Sequence, residues 1–299
     1  MGYSGHRISV EEMKGCRAIQ FLVKKTSNWE TEDDDQQFEI ESDYFLTGTV
    51  NGLPHETPLD LSPTRHGIDS ISYENIVYYE REHGEDHWYG LPFHSACFEI
   101  FKKVSLASPE DKCARSMLAD TDGFIEQFPR DLAVRDGQDH NWGHQPGHEY
   151  LAANPVEVPA LPSLLKVAET SHAPKVVFPP PGHGAASDKD PFGILSAEIT
   201  ALIIDHLHPK DIANLRLCTR AVRQLPNILF RKLLLDEMPW MWELKDMEGA
   251  RVDWHDLYCK RRSYWTILKG LKNRERIWGD VEEIVKRIER LRSDGKIAA

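Results

Sequence analysis

Residues 190–235 read DPFGILSAEITALIIDHLHPKDIANLRLCTRAVRQLPNILFRKLLL, and the way this stretch folds decides what kind of protein the chain is. Ser196 stands where a helix N-cap belongs, with Glu198 in the first turn behind it, an arrangement that satisfies a free amide and complements the helix dipole. Ile199, Leu202, Ile203 and Leu207 then recur at helical spacing until His208-Pro209 stops the run. Pro209 and Asp211 suit the first turn of a second helix. Ile212, Leu215, Cys218 and Val222 line one face of it, with Leu217, Ala221 and Leu225 on the neighbouring flank. Pro226 breaks that helix, and a third is expected over Ile228–Leu235. The segment therefore reads as a set of short helices joined by tight, proline-containing turns.

Upstream lies the sharpest change of composition in the chain. Residues 171–189 contain Phe178-Pro179-Pro180-Pro181-Gly182-His183-Gly184-Ala185-Ala186-Ser187, an extended and then flexible sequence expected to be a linker. Charge changes with it. Residues 1–187 carry 15 Lys/Arg against 30 Asp/Glu, whereas residues 188–299 carry 21 against 18, within a total of -12. Two units with different surfaces are expected. The acidic whole is a poor partner for nucleic acid or an anionic membrane.

The first 170 residues are expected to form a domain of mixed strand and helix. Cys16–Val23 and Tyr44–Val50 have strand composition, as does the run Ile76-Val77-Tyr78-Tyr79. Phe93, Cys97, Ile100, Phe101 and Val104 form a helical stripe. Between the first two strands runs Glu30 to Asp43, containing Glu32-Asp33-Asp34-Asp35; mutual repulsion makes it a solvated loop, with a docking surface for a basic partner as the alternative. At the other end, residues 236–299 are expected to be a Trp-rich helical extension. Trp240, Trp242, Trp254 and Trp265 supply a core, and a final amphipathic helix is striped by Ile277, Val281, Ile284, Val285, Ile288 and Leu291. That stripe is expected to pack on its own domain.

Asp190–Leu235 resembles an F-box of the kind common in fungal proteins. The resemblance rests on Leu195, Glu198-Ile199, Ile203, Leu207, Pro209, Asp211-Ile212, Leu215, Leu217-Cys218-Thr219-Arg220, Arg223, Leu225 and Phe230. The following Asp236-Glu237-Met238-Pro239-Trp240-Met241-Trp242-Glu243 and the earlier Pro92–Glu99 segment look similar to the same proteins. The family opens on Leu-Pro where this chain has Leu195-Ser196, and Val222 stands where a bulkier residue is common. The resemblance implies a three-helix module docking on a Skp-type adaptor, which joins it to a cullin scaffold and a RING subunit; catalysis belongs to those partners. It implies adaptor contacts at Pro191, Leu195, Ile199, Ile203, Leu207, Pro209, Leu215 and Leu217, and a protein substrate bound elsewhere on the chain. A module this small holds more apolar residues than it can bury alone, which fits docking against partner helices. The expected fold class is α+β: a mixed amino-terminal domain, then a mainly helical half that begins with the F-box.

Other chemistry was weighed. A non-catalytic scaffold using the same module outside a ligase is the nearest alternative. His83 and His87, then His140, His144 and His148, could begin a metal-dependent enzyme, but Gly84, Gly143, Pro146 and Gly147 interrupt any helix that would align them. His94 with Cys97 is a single ligand pair with no second pair following. Asp120-Thr121-Asp122-Gly123 lacks the later ligands of a calcium loop and reads as a turn. Arg216, Arg220, Arg223, Arg231 and Lys232 could serve a helix-turn-helix DNA reader. The five scattered cysteines, Cys16, Cys97, Cys113, Cys218 and Cys259, carry no nucleophile signature and suit a reducing compartment. With no apolar leader or membrane-spanning run in view, a cytoplasmic or nuclear protein without cofactors is expected.

Overall fold

The computed structural model describes residues 7–51, 65–66, 90–107, 147–170, 190–219, 221–222, 225–247 and 252–296. The chain is a mixture of helix and strand, as an α+β reading requires. It divides into two units: Met1–Pro159 together with Leu268–Ala299, and Ala160–Ile267. The expected strand at residues 76–79, the turn at 120–123 and the linker at 171–189 lie outside the described residues.

The first unit is built on strand β1, Ala18–Lys24. Its run Phe21-Leu22-Val23 is buried on both faces, which is why it reads as continuously apolar rather than alternating. Ile19, Phe21 and Val23 pack with Phe45, Val50 and Trp29 on one side. Leu22 and Leu46 meet Phe38, Tyr44, Phe93 and Phe98 on the other. Strand β2, Tyr44–Leu46, and strand β3, Val50–Asn51, share one edge of β1. Strand β4, Gly90–His94, covers the opposite edge from Val23↔Gly90 to Ile19↔His94. The strand expected over 44–50 is thus two short ones, interrupted at Thr47, whose Oγ1 accepts from Phe21 N at 3.0 Å.

Helix α1, Gln37–Glu41, lies between β1 and β2 in sequence. Helix α2, Ser95–Ala107, follows β4 directly and buries Ile100, Phe101 and Val104, three members of the expected stripe.

The acidic stretch departs from its solvated-loop expectation. Glu39 is fully buried, and Arg65 reaches it at 2.9 Å, Asp34 at 3.1 Å and Asp35 as a third carboxylate. The ring of His66 sits 2.8 Å from Asp35 and packs on Trp29 and Phe45. Outward-pointing groups of β2 are answered by side chains as well. Ser42 Oγ donates to Tyr44 O and accepts from Tyr44 N. Leu46 N donates to Glu39 Oε1 at 2.7 Å, and Arg65 Nη1 donates to Leu46 O at 2.7 Å. An ion pair therefore takes the place of a neighbouring strand, meeting backbone groups that must find partners when buried.

Among the described residues, the second unit holds seven helical elements. Helix α3 spans Leu161–Thr170, and a 3-10 turn spans Pro191–Ile194. Helices α4, Ala197–Asp205, and α5, Pro209–Cys218, follow. Helix α6, Asn227–Glu237, then leads through α7, Glu243–Asp246, to α8, Trp254–Ile267. Phe230, Leu233 and Leu234 of α6 are buried with Trp240, Met241, Leu244, Trp254 and Leu257, so Trp240 and Trp254 serve the core as expected. Asn227 ties α6 to the start of α8: its Nδ2 donates to Val252 O at 2.7 Å and its Oδ1 accepts from His255 N at 3.2 Å. Glu237 closes the other end, accepting from Tyr258 at 2.7 Å and pairing with Arg261 at 2.9 Å.

The last helix, α9, Lys269–Ser293, belongs with the first unit rather than with the Trp-rich stretch. The sequence grouped residues 236–299 together, and 1–170 as one domain; instead α3 falls in the second unit and α9 in the first. The reason lies in what α9 touches. Its stripe Ile277, Val281, Val285 and Ile288 is buried, with Trp278 beside it, and α9 packs along α2. The fully buried Arg274 donates from Nε to Pro155 O and from Nη2 to Val156 O at 3.0 Å. Asn273 Nδ2 donates to Ala153 O at 2.8 Å. Gly270 lets the helix come close enough: a Cβ there would stand 2.6 Å from Asn154 O. No apolar stripe announces such a partner from sequence alone.

Candidate docking surface on the short helices

The helices of residues 190–237 start where their caps say they should. Asp190 caps the 3-10 turn, accepting from Phe192 N at 3.1 Å, and its Oδ2 accepts from Thr219 Oγ1 at 2.6 Å. That bond joins the turn to the end of α5. Ser196 caps α4, accepting from Ile199 N at 3.4 Å. Its hydroxyl also holds the Glu198 carboxyl below the usual carboxylate range. His208 Nδ1 accepts from Lys210 N at 3.2 Å and Pro209 opens α5. Lys232 of α6 pairs with Asp205 at the end of α4, at 2.7 Å.

The burial of these helices is thin and one-sided. Among the described residues, only Ile204 is buried on α4 and only Ile212 on α5, with Val222 and Thr219 beyond it. The side chains that face water are large: Ile194 is 83% exposed, Leu202 61% and Leu217 83%, with Ile199 at 48%. Complete burial is worth about 1.5–3 kcal/mol for a fully exposed side chain of this kind, and proportionately less for Ile199 and Leu202, which start part-buried. The Asp190–Thr219 bond brings the turn that ends in Ile194 to the end of the helix that carries Leu217.

The residues named from sequence divide between the two sides. Ile199 and Leu217 face solvent, while Leu195, Ile203, Leu207, Pro209 and Leu215 are half-buried. Pro191 is the first residue of the 3-10 turn. Ile194 and Ile228 were missed as surface residues, and Ile204 was missed as the inward anchor of α4. The run Ala201-Leu202-Ile203-Ile204 is apolar throughout, so periodicity does not select an inward face.

The competing chemistry fares unevenly. Arg231 lies 5.6 Å from the Trp254 ring and Lys232 is paired with Asp205, so both are engaged inside the unit; Arg220 and Arg223 lie outside the described residues. So do His83, His87, His140 and His144, while His148 packs edge-on to Tyr150. Burial lowers the His94 pKa and pushes the Cys97 thiol up to about 11, conditions that oppose a thiolate. Among the described residues, no three or more His, Cys, Asp or Glu side chains group as a metal site, and no helix is long and apolar enough to cross a membrane. No family model, curated protein or solved structure matches the chain.

Proposed function

We propose that the chain is a substrate-recruiting subunit of a cullin–RING ubiquitin ligase, docking on a Skp-type adaptor through residues 190–235 and holding a protein target elsewhere. The observation that carries this reading is the exposure of large apolar side chains on α4, α5 and the turn before them: Ile194, Ile199, Leu202 and Leu217. A helical partner would bury that face and leave the inward residues Ile204 and Ile212 undisturbed. The F-box resemblance, which shares Ile199 and Leu217 with that exposed set, supplies the partner's identity.

Co-expression with a Skp-type adaptor followed by size exclusion tests it. The expected result is a 1:1 complex that Leu202→Arg with Leu217→Arg abolishes. Both positions are exposed, so the variant should fold, as far-ultraviolet circular dichroism would verify. Separate elution of wild-type chain and adaptor would overturn the reading.

A further inference from the structure

Helix α8 carries a second chemistry that docking does not use. His255 and Cys259 sit one turn apart, with His255 Nε2 3.6 Å from Cys259 Sγ. The thiol is exposed. Asn227 Oδ1 accepts from the His255 backbone N–H at 3.2 Å, which fixes the start of the helix, and Phe230 packs edge-on against the imidazole with ring centroids 4.6 Å apart.

That separation is the one a tetrahedral metal ion requires. Zinc–sulfur bonds of about 2.3 Å and zinc–nitrogen bonds of about 2.0 Å, at a tetrahedral angle, set the two ligand atoms about 3.5 Å apart. The nearby cations are answered, Lys260 by Asp256 at 2.7 Å and Arg261 by Glu237 at 2.9 Å, which limits their repulsion of an arriving ion. We infer that His255 and Cys259 form a two-point chelate for a borderline divalent cation of the zinc class. Among the described residues no third His, Cys, Asp or Glu completes a larger group, so water fills the remaining positions and the ion exchanges readily. Binding replaces the thiol proton: the S–H bond breaks, the proton leaves to solvent, and a metal–sulfur bond forms.

Cobalt(II) is the probe, because thiolate ligation gives it a charge-transfer band that imidazole or carboxylate ligation does not. Titrating the full chain should produce that band, and zinc should displace it. Cys259→Ser should lose the band, while Cys218→Ser, at another exposed cysteine, should keep it. His255→Gln should weaken cobalt binding at least several-fold. In parallel, zinc should slow alkylation of Cys259 in the unmodified protein, a measurement that needs no variant. A band that survives Cys259→Ser, or alkylation indifferent to zinc, would overturn the assignment.

Discussion

Thr219 Oγ1 donates to Asp190 Oδ2 at 2.6 Å, across 29 residues, and so fastens the 3-10 turn Pro191–Ile194 to the end of α5. Asp190 also caps that turn through its other oxygen, and Thr219 is itself buried. Removing the hydroxyl takes one donor from a half-buried carboxylate. Thr219→Val should therefore destabilise the second unit by about 1–3 kcal/mol, read as a lower urea midpoint, and should weaken the proposed adaptor binding without altering any exposed contact. A midpoint equal to wild type would show that the bond contributes nothing.

Ser196 stands where the F-box pattern that residues 190–235 resemble has proline, yet its backbone has φ -65 and Leu195 before it has ψ 142. These are the values proline imposes on itself and on its predecessor. Ser196→Pro should fold normally. It gains about 0.4–1 kcal/mol from a stiffer unfolded chain and loses a cap worth about 1 kcal/mol, so thermal denaturation should show little net change. Ser196→Val, with neither benefit, should be the less stable variant.

Two glycines of α9 should respond in opposite directions. A Cβ at Gly270 would meet Asn154 O at 2.6 Å and Val158 Cγ2 at 2.8 Å, whereas one at Gly279 meets nothing within 4 Å. Gly270→Ala should cost about 1–3 kcal/mol by forcing the helix off the 153–158 segment. Gly279→Ala should stabilise by about 0.5–1 kcal/mol through helix propensity. Denaturant titration of both distinguishes close approach from simple flexibility.

Alkaline pH should weaken the fold through Cys97. Burial pushes its thiol from 9.0 to about 11, so the unfolded chain ionises first. The contribution is complete below pH 9 and fades as pH rises to 11. Cys97→Ala should flatten the decline in unfolding free energy over that window. An identical slope in both proteins would refute it. Tyr258, raised to about 12 by burial and by its bond to Glu237, extends the same trend at higher pH.

What could be read from sequence was local. The N-cap at Ser196 and the helix-opening Pro209 act within three residues of the groups they serve, and the stripes of α2 and α9 repeat at the period of a helix. What escaped was choice among equals and choice at a distance. Nothing in Leu202-Ile203-Ile204 distinguishes the inward side chain, because all three are apolar. The burial of Glu39 depends on Arg65, 26 residues later, and the place of α9 depends on carbonyls more than a hundred residues earlier. The short helices of residues 190–237 were legible as a segment, but which of their side chains face solvent was not.

The side chains along the outer edge of β2 have a consequence for colloidal behaviour. A short apolar strand with open amides and carbonyls is a template on which a second copy can extend the sheet. Here Ser42, Glu39 and Arg65 occupy the groups of Tyr44 and Leu46 in advance. The acidic stretch thus protects the monomer as well as the core, and Arg65→Ala should show it as faster aggregation during refolding, when light scattering is followed at the same protein concentration as wild type.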